Sequence, residues 1–210
     1  ARYYGEGRLE AIGGLVPLAI WMNFALGFGF FALTNAFAEP IFRFYNAEGQ
    51  VLSKAVEYYH VRSYGHPLVL ATFAVTGAFR GIQNLSWGMW ISIAGAVVNG
   101  LLNPLLIFGY GPVPAMGISG SAWASVAAQV VMFVAALWVL HARTPFRIVP
   151  RTWWHPELKD LWLLSGNLFA RTLALNVCYY LGNRYATGYG EAHIGAHSIA
   201  MQIWLFSAFF

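Results

Sequence analysis

Ser92, Ala96, Asn99 and Asn103 follow one another at spacings of four, three and four, which places them on a single helical face inside a stretch without charge. An amide in hydrocarbon finds no water, so such a face must turn toward protein or a wet cavity. Pro104 lacks the N–H that would bond the Gly100 carbonyl, leaving that oxygen open to a cation, a proton donor or a water molecule. Amides at this spacing also glue helices together, which is their commoner use. A second ladder, Gly117, Ser121, Ser125 and Gln129, steps by four with Ala124 and Ala128 beside it. Its small residues suit close helix packing, while Ser121 and Gln129 are able to join Asn99 and Asn103 in a buried polar network.

A third set begins with Asn167 and Arg171, one helical turn apart, and continues through Asn176, Tyr180 and Asn183. An arginine ten residues into an apolar run is expensive in lipid, and snorkelling is hard from that depth. Arg171 is therefore expected in the interior or at a cavity, pairing with a carboxylate beyond this chain or touching substrate. His193 and His197 are also one turn apart, with Glu191 close by, but two histidines fall short of the three protein ligands a zinc site needs. Packing or proton exchange at His197 is the better reading, and no metal is expected. Asn23 and Gln202, also inside apolar runs, complete the candidate substrate or ion contacts. Trp21, Phe24, Phe28 and Phe30 are able to line a site for apolar cations, although lipid contact is the usual role of such residues. No acidic pair lies inside the apolar runs, and Gly27-Phe28-Gly29 sits in hydrophobic sequence and not after a strand. Hydrolase, kinase and phosphate-cradle chemistry therefore have no footing, and an enzyme is not expected.

The elements that carry these residues follow from composition. Hydrophobic residues are 59% of the 210 and charged residues 10%, with a mean hydropathy of +0.56. A soluble domain is about one quarter charged, and no soluble fold of this length hides so much apolar surface. Residues 13–38 and 81–142 carry no Asp, Glu, Lys or Arg. The second run is long enough for two crossings of about 20 residues each.

An all-α, polytopic transmembrane bundle of about six spans is expected, at roughly 13–37, 56–79, 87–108, 117–140, 161–184 and from 192 onward. Lys54 to Arg62 forms an amphipathic entry to the second span, and the Gly-Pro-Val-Pro turn at 111–114 separates the third from the fourth. Residues 142–160 hold Arg143, Arg147, Arg151 and Lys159 among three prolines and read as a linker. It joins four spans in 1–141 to two in 161–210. Tyr3, Tyr4, Tyr58, Tyr59, Trp153, Trp154 and Trp162 fall at span ends, where aromatic belts form.

Seven basic residues (Arg2, Arg8, Arg80, Arg143, Arg147, Arg151 and Lys159) fall on one side of this topology, and four (Arg43, Lys54, Arg62 and Arg184) on the other. The first side is expected to be cytoplasmic. The net charge of +4 does not indicate nucleic acid, because the basic residues lie between apolar segments and not along one face. The single cysteine, Cys178, rules out an internal disulfide. A start without methionine or signal-peptide pattern, and an end in Leu205-Phe206-Ser207-Ala208-Phe209-Phe210, suggest an internal piece of a longer protein.

Three segments together resemble the multidrug and toxic compound extrusion family, in particular its DinF-like branch. They are Ala78-Phe79-Arg80-Gly81-Ile82-Gln83-Asn84, then Asn99-Gly100-Leu101-Leu102-Asn103-Pro104-Leu105-Leu106-Ile107-Phe108-Gly109 followed by Gly117-Ile118-Ser119-Gly120-Ser121-Ala122, and Gly195-Ala196-His197-Ser198-Ile199-Ala200-Met201-Gln202-Ile203-Trp204-Leu205. The resemblance covers essentially the whole chain, which would match helices three to eight of twelve. It implies part of a two-lobed antiporter that exports organic cations, drugs or amphipathic metabolites in exchange for H+ or Na+ by alternating access, with no other cofactor. It also implies a monomer in the inner (plasma) membrane, bacterial in origin, with 142–160 as the cytoplasmic link between lobes. In the DinF-like branch a first-helix carboxylate joins polar residues of the fifth and sixth helices, which Asn99, Asn103 and Ser121 match. The position of Asn103 is commonly aspartate there, and an amide does not titrate, so coupling rests on a carboxylate beyond this chain. A lipid-linked precursor flippase of the same superfamily would need a more cationic cavity, for which Arg171 is the candidate. A non-transporting membrane subunit leaves the polar faces unexplained.

Overall fold

The computed structural model describes residues 5–7, 9–45, 47–150, 158–188 and 191–207. Among these residues run eight helices: α1 Leu9–Ala36, α2 Ala38–Phe44, α3 Gly49–Ser63, α4 His66–Gly81, α5 Leu85–Phe108, α6 Gly117–Arg143, α7 Leu158–Gly188 and α8 Glu191–Ser207. They form two compact units, Ala1–His155 with α1 to α6 and Pro156–Phe210 with α7 and α8. Among the described residues, Ile12–Ala36, Leu85–Phe108, Gly117–Arg143 and Leu161–Gly182 are long and apolar enough to cross a membrane. These correspond to the first, third, fourth and fifth expected spans. The 17-residue α8, described as far as Ser207, falls short of that length.

The second expected span differs from its prediction as a single helix over 56–79. The chain breaks at Tyr64 and Gly65, giving a 15-residue α3 and a 16-residue α4. Pro67 has no N–H to continue the α3 ladder, and Tyr64 N and Gly65 N turn back to the Val61 and Arg62 carbonyls at 3.2 Å. The break lies level with the middle of two long apolar helices. Gly65 faces Gln129, midway along α6, and Pro67 lies on Gly27, well inside α1. Together α3 and α4 form one interrupted crossing.

In the first unit buried alanines bring the helices close around a few large apolar side chains, while many other large apolar residues face outward. Ala71, Ala122, Ala124 and Ala136 are fully buried, whereas Phe28, Leu101, Val134 and Trp138 are exposed, as expected where the surrounding solvent is hydrocarbon. The central cluster joins Val16 and Ile20 of α1, Val75 and Phe79 of α4, and Leu140 of α6. Phe79 meets Trp87 edge-on at 5.3 Å. The start of the segment expected as a linker packs on this core: Phe146 is buried in it, and Trp21 Nε1 donates to the Ile148 carbonyl at 3.1 Å. Tyr59, expected in an interfacial belt, instead packs between Phe42 and His66. Tyr3, Tyr4, Trp153 and Trp154 lie outside the described residues.

α1 runs antiparallel to the interrupted crossing, with contacts at Gly27 and Pro67, Phe31 and Tyr64, and Asn35 and Ser63. A Cβ on Gly27 would overlap the Pro67 Cα and stand 2.7 Å from the Pro67 nitrogen, and backbone cannot rotate away as a side chain can. Gly77 of α4, by contrast, has nothing within 4 Å of a Cβ. Gly27→Ala should therefore destabilise the full-length protein by about 1–3 kcal/mol through overpacking. Gly77→Ala should raise its stability by roughly 0.5–1 kcal/mol through lost unfolded-chain freedom. Thermal unfolding in detergent with both variants checks the pair; equal midpoints would remove the α1–α4 contact as a packing constraint.

Candidate functional site

α5 and α6 are joined by a tight connection that fixes their register. Gly109 adopts φ +74°, a left-handed conformation open to glycine, and Tyr110 and Val113 exchange backbone hydrogen bonds of 3.1 and 3.2 Å. Met116 N then donates to the Leu106 carbonyl at 2.9 Å, and Gly120 lies so close to that carbonyl that a Cβ there would overlap it. Further along, Gly95 of α5 receives the Met132 side chain of α6. The two helices thus run antiparallel in close contact, with Asn99 and Asn103 of α5 facing the serine ladder of α6.

Within this contact Asn103 Nδ2 donates to Asn99 Oδ1 at 2.8 Å, and Asn99 Nδ2 donates to Ser125 Oγ at 3.2 Å. The donors all run one way along the relay, so it leaves Asn103 Oδ1 at its head, buried and with no hydrogen-bond partner. A buried carbonyl oxygen without a donor costs free energy until a cation or a proton donor reaches it. The sequence expectation placed Ser121 in the network. The structure joins Ser125 instead, one turn further along, because the register set at Leu106 and Gly120 brings Asn99 level with it. Ser121 is partly buried and bonds to neither amide.

Gln129 is also separate from the relay. Its Oε1 is buried, has no partner and lies against Gly65, at the break between α3 and α4. A further polar cluster not foreseen from sequence links α1 to α3: Asn35 Nδ2 donates to Ser63 Oγ at 2.7 Å, and His60 Nδ1 bonds Asn35 Oδ1. Ser63 Oγ in turn donates to the His60 carbonyl at 2.7 Å. The signal was available, since Asn35 is an amide inside the first charge-free run.

The remaining candidates belong to other helices. Asn23 Nδ2 donates to the Ala19 carbonyl of its own helix at 2.9 Å, and Asn176 Nδ2 does the same to Thr172 at 2.8 Å. Asn167, Arg171 and Gln202 are exposed on the second unit. Arg171, expected in an interior or at a cavity, has its side chain open there because α7 packs only on α8 within its unit. His197 lies on α8, but its side chain, like those of Asn183 and His193, lies outside the described residues. Among the described residues no group of three His, Cys, Asp or Glu side chains is placed to hold a metal ion.

A profile of the family described as MatE matches residues 1–105. The chain belongs to the MatE family. This MatE chain is 32% identical to Protein DETOXIFICATION 44, chloroplastic, of Arabidopsis thaliana over 72% of its own length and 28% of that relative. It is 24% identical to a probable multidrug resistance protein NorM of Agrobacterium fabrum over 97% of its length and 44% of the relative. The chain thus spans less than half of either protein. A crystal structure of a MATE protein in a bent conformation superposes with a TM-score of 0.88 at 21% identity, covering 98% of this chain and 46% of the other, which shows the shared fold.

For this MatE chain the relay makes a sharp distinction between two serines one turn apart. Ser125→Ala removes the acceptor of Asn99 Nδ2 and should cost the full-length protein about 1–3 kcal/mol, the usual result of orphaning a buried donor. Ser121→Ala should stay within about 0.5 kcal/mol of wild type. Thermal midpoints measured side by side decide it, and a larger loss at Ser121 would reverse the assignment.

Proposed function

We propose that the full-length protein is a secondary active antiporter that exports organic cations, drugs or amphipathic metabolites by alternating access, driven by H+ or Na+. The observation that carries this reading is the buried Asn103 Oδ1 at the head of the Asn103–Asn99–Ser125 relay, an acceptor left open inside a bundle of apolar helices. A polar relay that served only as helix glue would close on itself; this one presents an oxygen to an incoming ion or proton donor. Neither amide titrates, so a driving proton would reside on a carboxylate beyond these residues, with Asn103 as its hydrogen-bond partner. A driving Na+ would take the Asn103 oxygen directly as a ligand. Membership of the DinF-like branch, a monomeric state and a place in the bacterial inner membrane belong to the same proposal, as does transport without enzymatic turnover.

The test is ethidium efflux in everted vesicles carrying the full-length protein, with proton and sodium gradients imposed separately. Asn103→Ala and Asn99→Ala should each slow gradient-driven efflux at least about tenfold, equivalent to about 1.4 kcal/mol of lost stabilisation. The gradient that sustains wild-type efflux identifies the ion. Efflux unchanged in both variants would remove the relay from coupling, and no efflux under either gradient would turn attention to lipid-linked precursors.

A further inference from the structure

The break between α3 and α4 brings together three polar groups that the relay does not use. A Cβ at Gly65 would overlap Gln129 Oε1 and stand 3.0 Å from Arg62 Nη1, so the Gln129 amide fills the place a side chain would take, with the guanidinium beside it. His66 follows at once, four residues after Arg62, its Nδ1 buried and unpartnered and its ring against Tyr59 at 6.1 Å. Among the described residues no carboxylate forms an ion pair with Arg62; the pairs present are Arg43 with Glu39 and Lys54 with Glu57. Glu57, the nearest acid in sequence, is instead held by Lys54 at 2.7 Å and by Ser119 at the start of α6.

The geometry points to an anion site here: the Arg62–His66–Gln129 cluster at the interrupted crossing receives the carboxylate of an amphipathic substrate. An unpaired guanidinium midway along a bundle is costly and calls for a negative partner, and it repels any cation from the same space. Planar carboxylate is the shape that a guanidinium fork binds best. Gln129 offers its Nε2 after a half-turn of the amide, and His66 donates from Nδ1 in the matching tautomer, so a carboxylate between them accepts from both. The backbone agrees. α4 starts at this point with its positive end toward the site, and the Val61 and Arg62 carbonyls are already taken by Tyr64 N and Gly65 N. Interrupted helices with free N-termini near mid-bundle are where membrane carriers hold anionic groups.

The inference rests on the transporter reading only for the word substrate; the site itself is tested by binding, without any gradient. Purified full-length protein in detergent is titrated with radiolabelled benzoate, its neutral amide analogue benzamide, and benzylamine. Benzoate should bind saturably and at least about tenfold more tightly than benzamide, the discrimination expected of a charge-assisted fork. Arg62→Gln should abolish that preference, Arg62→Lys should retain part of it, and benzylamine binding should be untouched by either. Gln129→Glu supplies an internal carboxylate to Arg62, so it should abolish benzoate binding while raising the thermal midpoint. A role confined to packing would not produce that combination. Equal binding of benzoate and benzamide to wild type, or benzoate binding that survives both Arg62→Gln and Gln129→Glu, overturns the anion site and leaves the efflux experiment on Asn99 and Asn103 unaffected.

Discussion

Hydrocarbon offers no hydrogen bonds, and the arrangement of the first unit follows from that single deficit. Every backbone group in a crossing has to find its partner within the protein, which leaves helices as the element and confines irregular chain to places shielded by other helices. The break at Tyr64 and Gly65 obeys this rule: its turned-back amides meet the Val61 and Arg62 carbonyls, and α1 and α6 cover it from two sides. Pro17 and Pro104 sit inside α1 and α5 without ending them. In the absence of a hydrophobic driving force, helices cohere through close backbone approach, and so glycines occupy the tightest contacts, Gly27 on Pro67 and Gly120 on Leu106.

The same deficit makes polar side chains informative. Each one in the bundle is either spent on a partner or held ready for one. Asn35, His60 and Ser63 are spent: they close on one another and pin α1 to α3. Asn103, His66 and Gln129 are not, and each keeps one buried atom without a partner. The two kinds of cluster lie on adjacent helices, so a closed clamp stands beside groups whose polar atoms remain open.

Much of this was legible in the residue order. Charge-free runs and hydropathy marked the first, third, fourth and fifth crossings, and the three-and-four spacing of Asn99 and Asn103 put both amides on the buried face of α5. What composition could not supply was register. The choice of Ser125 over Ser121 depends on how tightly residues 109–116 turn, a matter of the Gly109 backbone and the Met116 to Leu106 bond, and both serines satisfy the same periodicity. The interrupted second crossing was hidden for a related reason. Gly65, His66 and Pro67 carry turn chemistry, yet an uninterrupted apolar pattern on either side reads as one helix. Gln129 was singled out for the right property, a buried amide, but its reach across to Gly65 is a tertiary fact. Arg62, read as a surface cation in an amphipathic entry, takes its meaning only from that contact.

The α5–α6 hairpin has one more implication. Its connection is bonded across at Tyr110 and Val113 and again at Met116 and Leu106, and Gly120 seats directly on the opposite backbone. Two helices stapled so closely at one end and meeting again where Met132 enters the space beside Gly95 have little room to slide. The hairpin therefore serves as a molecular ruler: a pair of spectroscopic labels across its outer sides should read one fixed separation in every conformation of the protein, and motion elsewhere in the bundle becomes measurable against it.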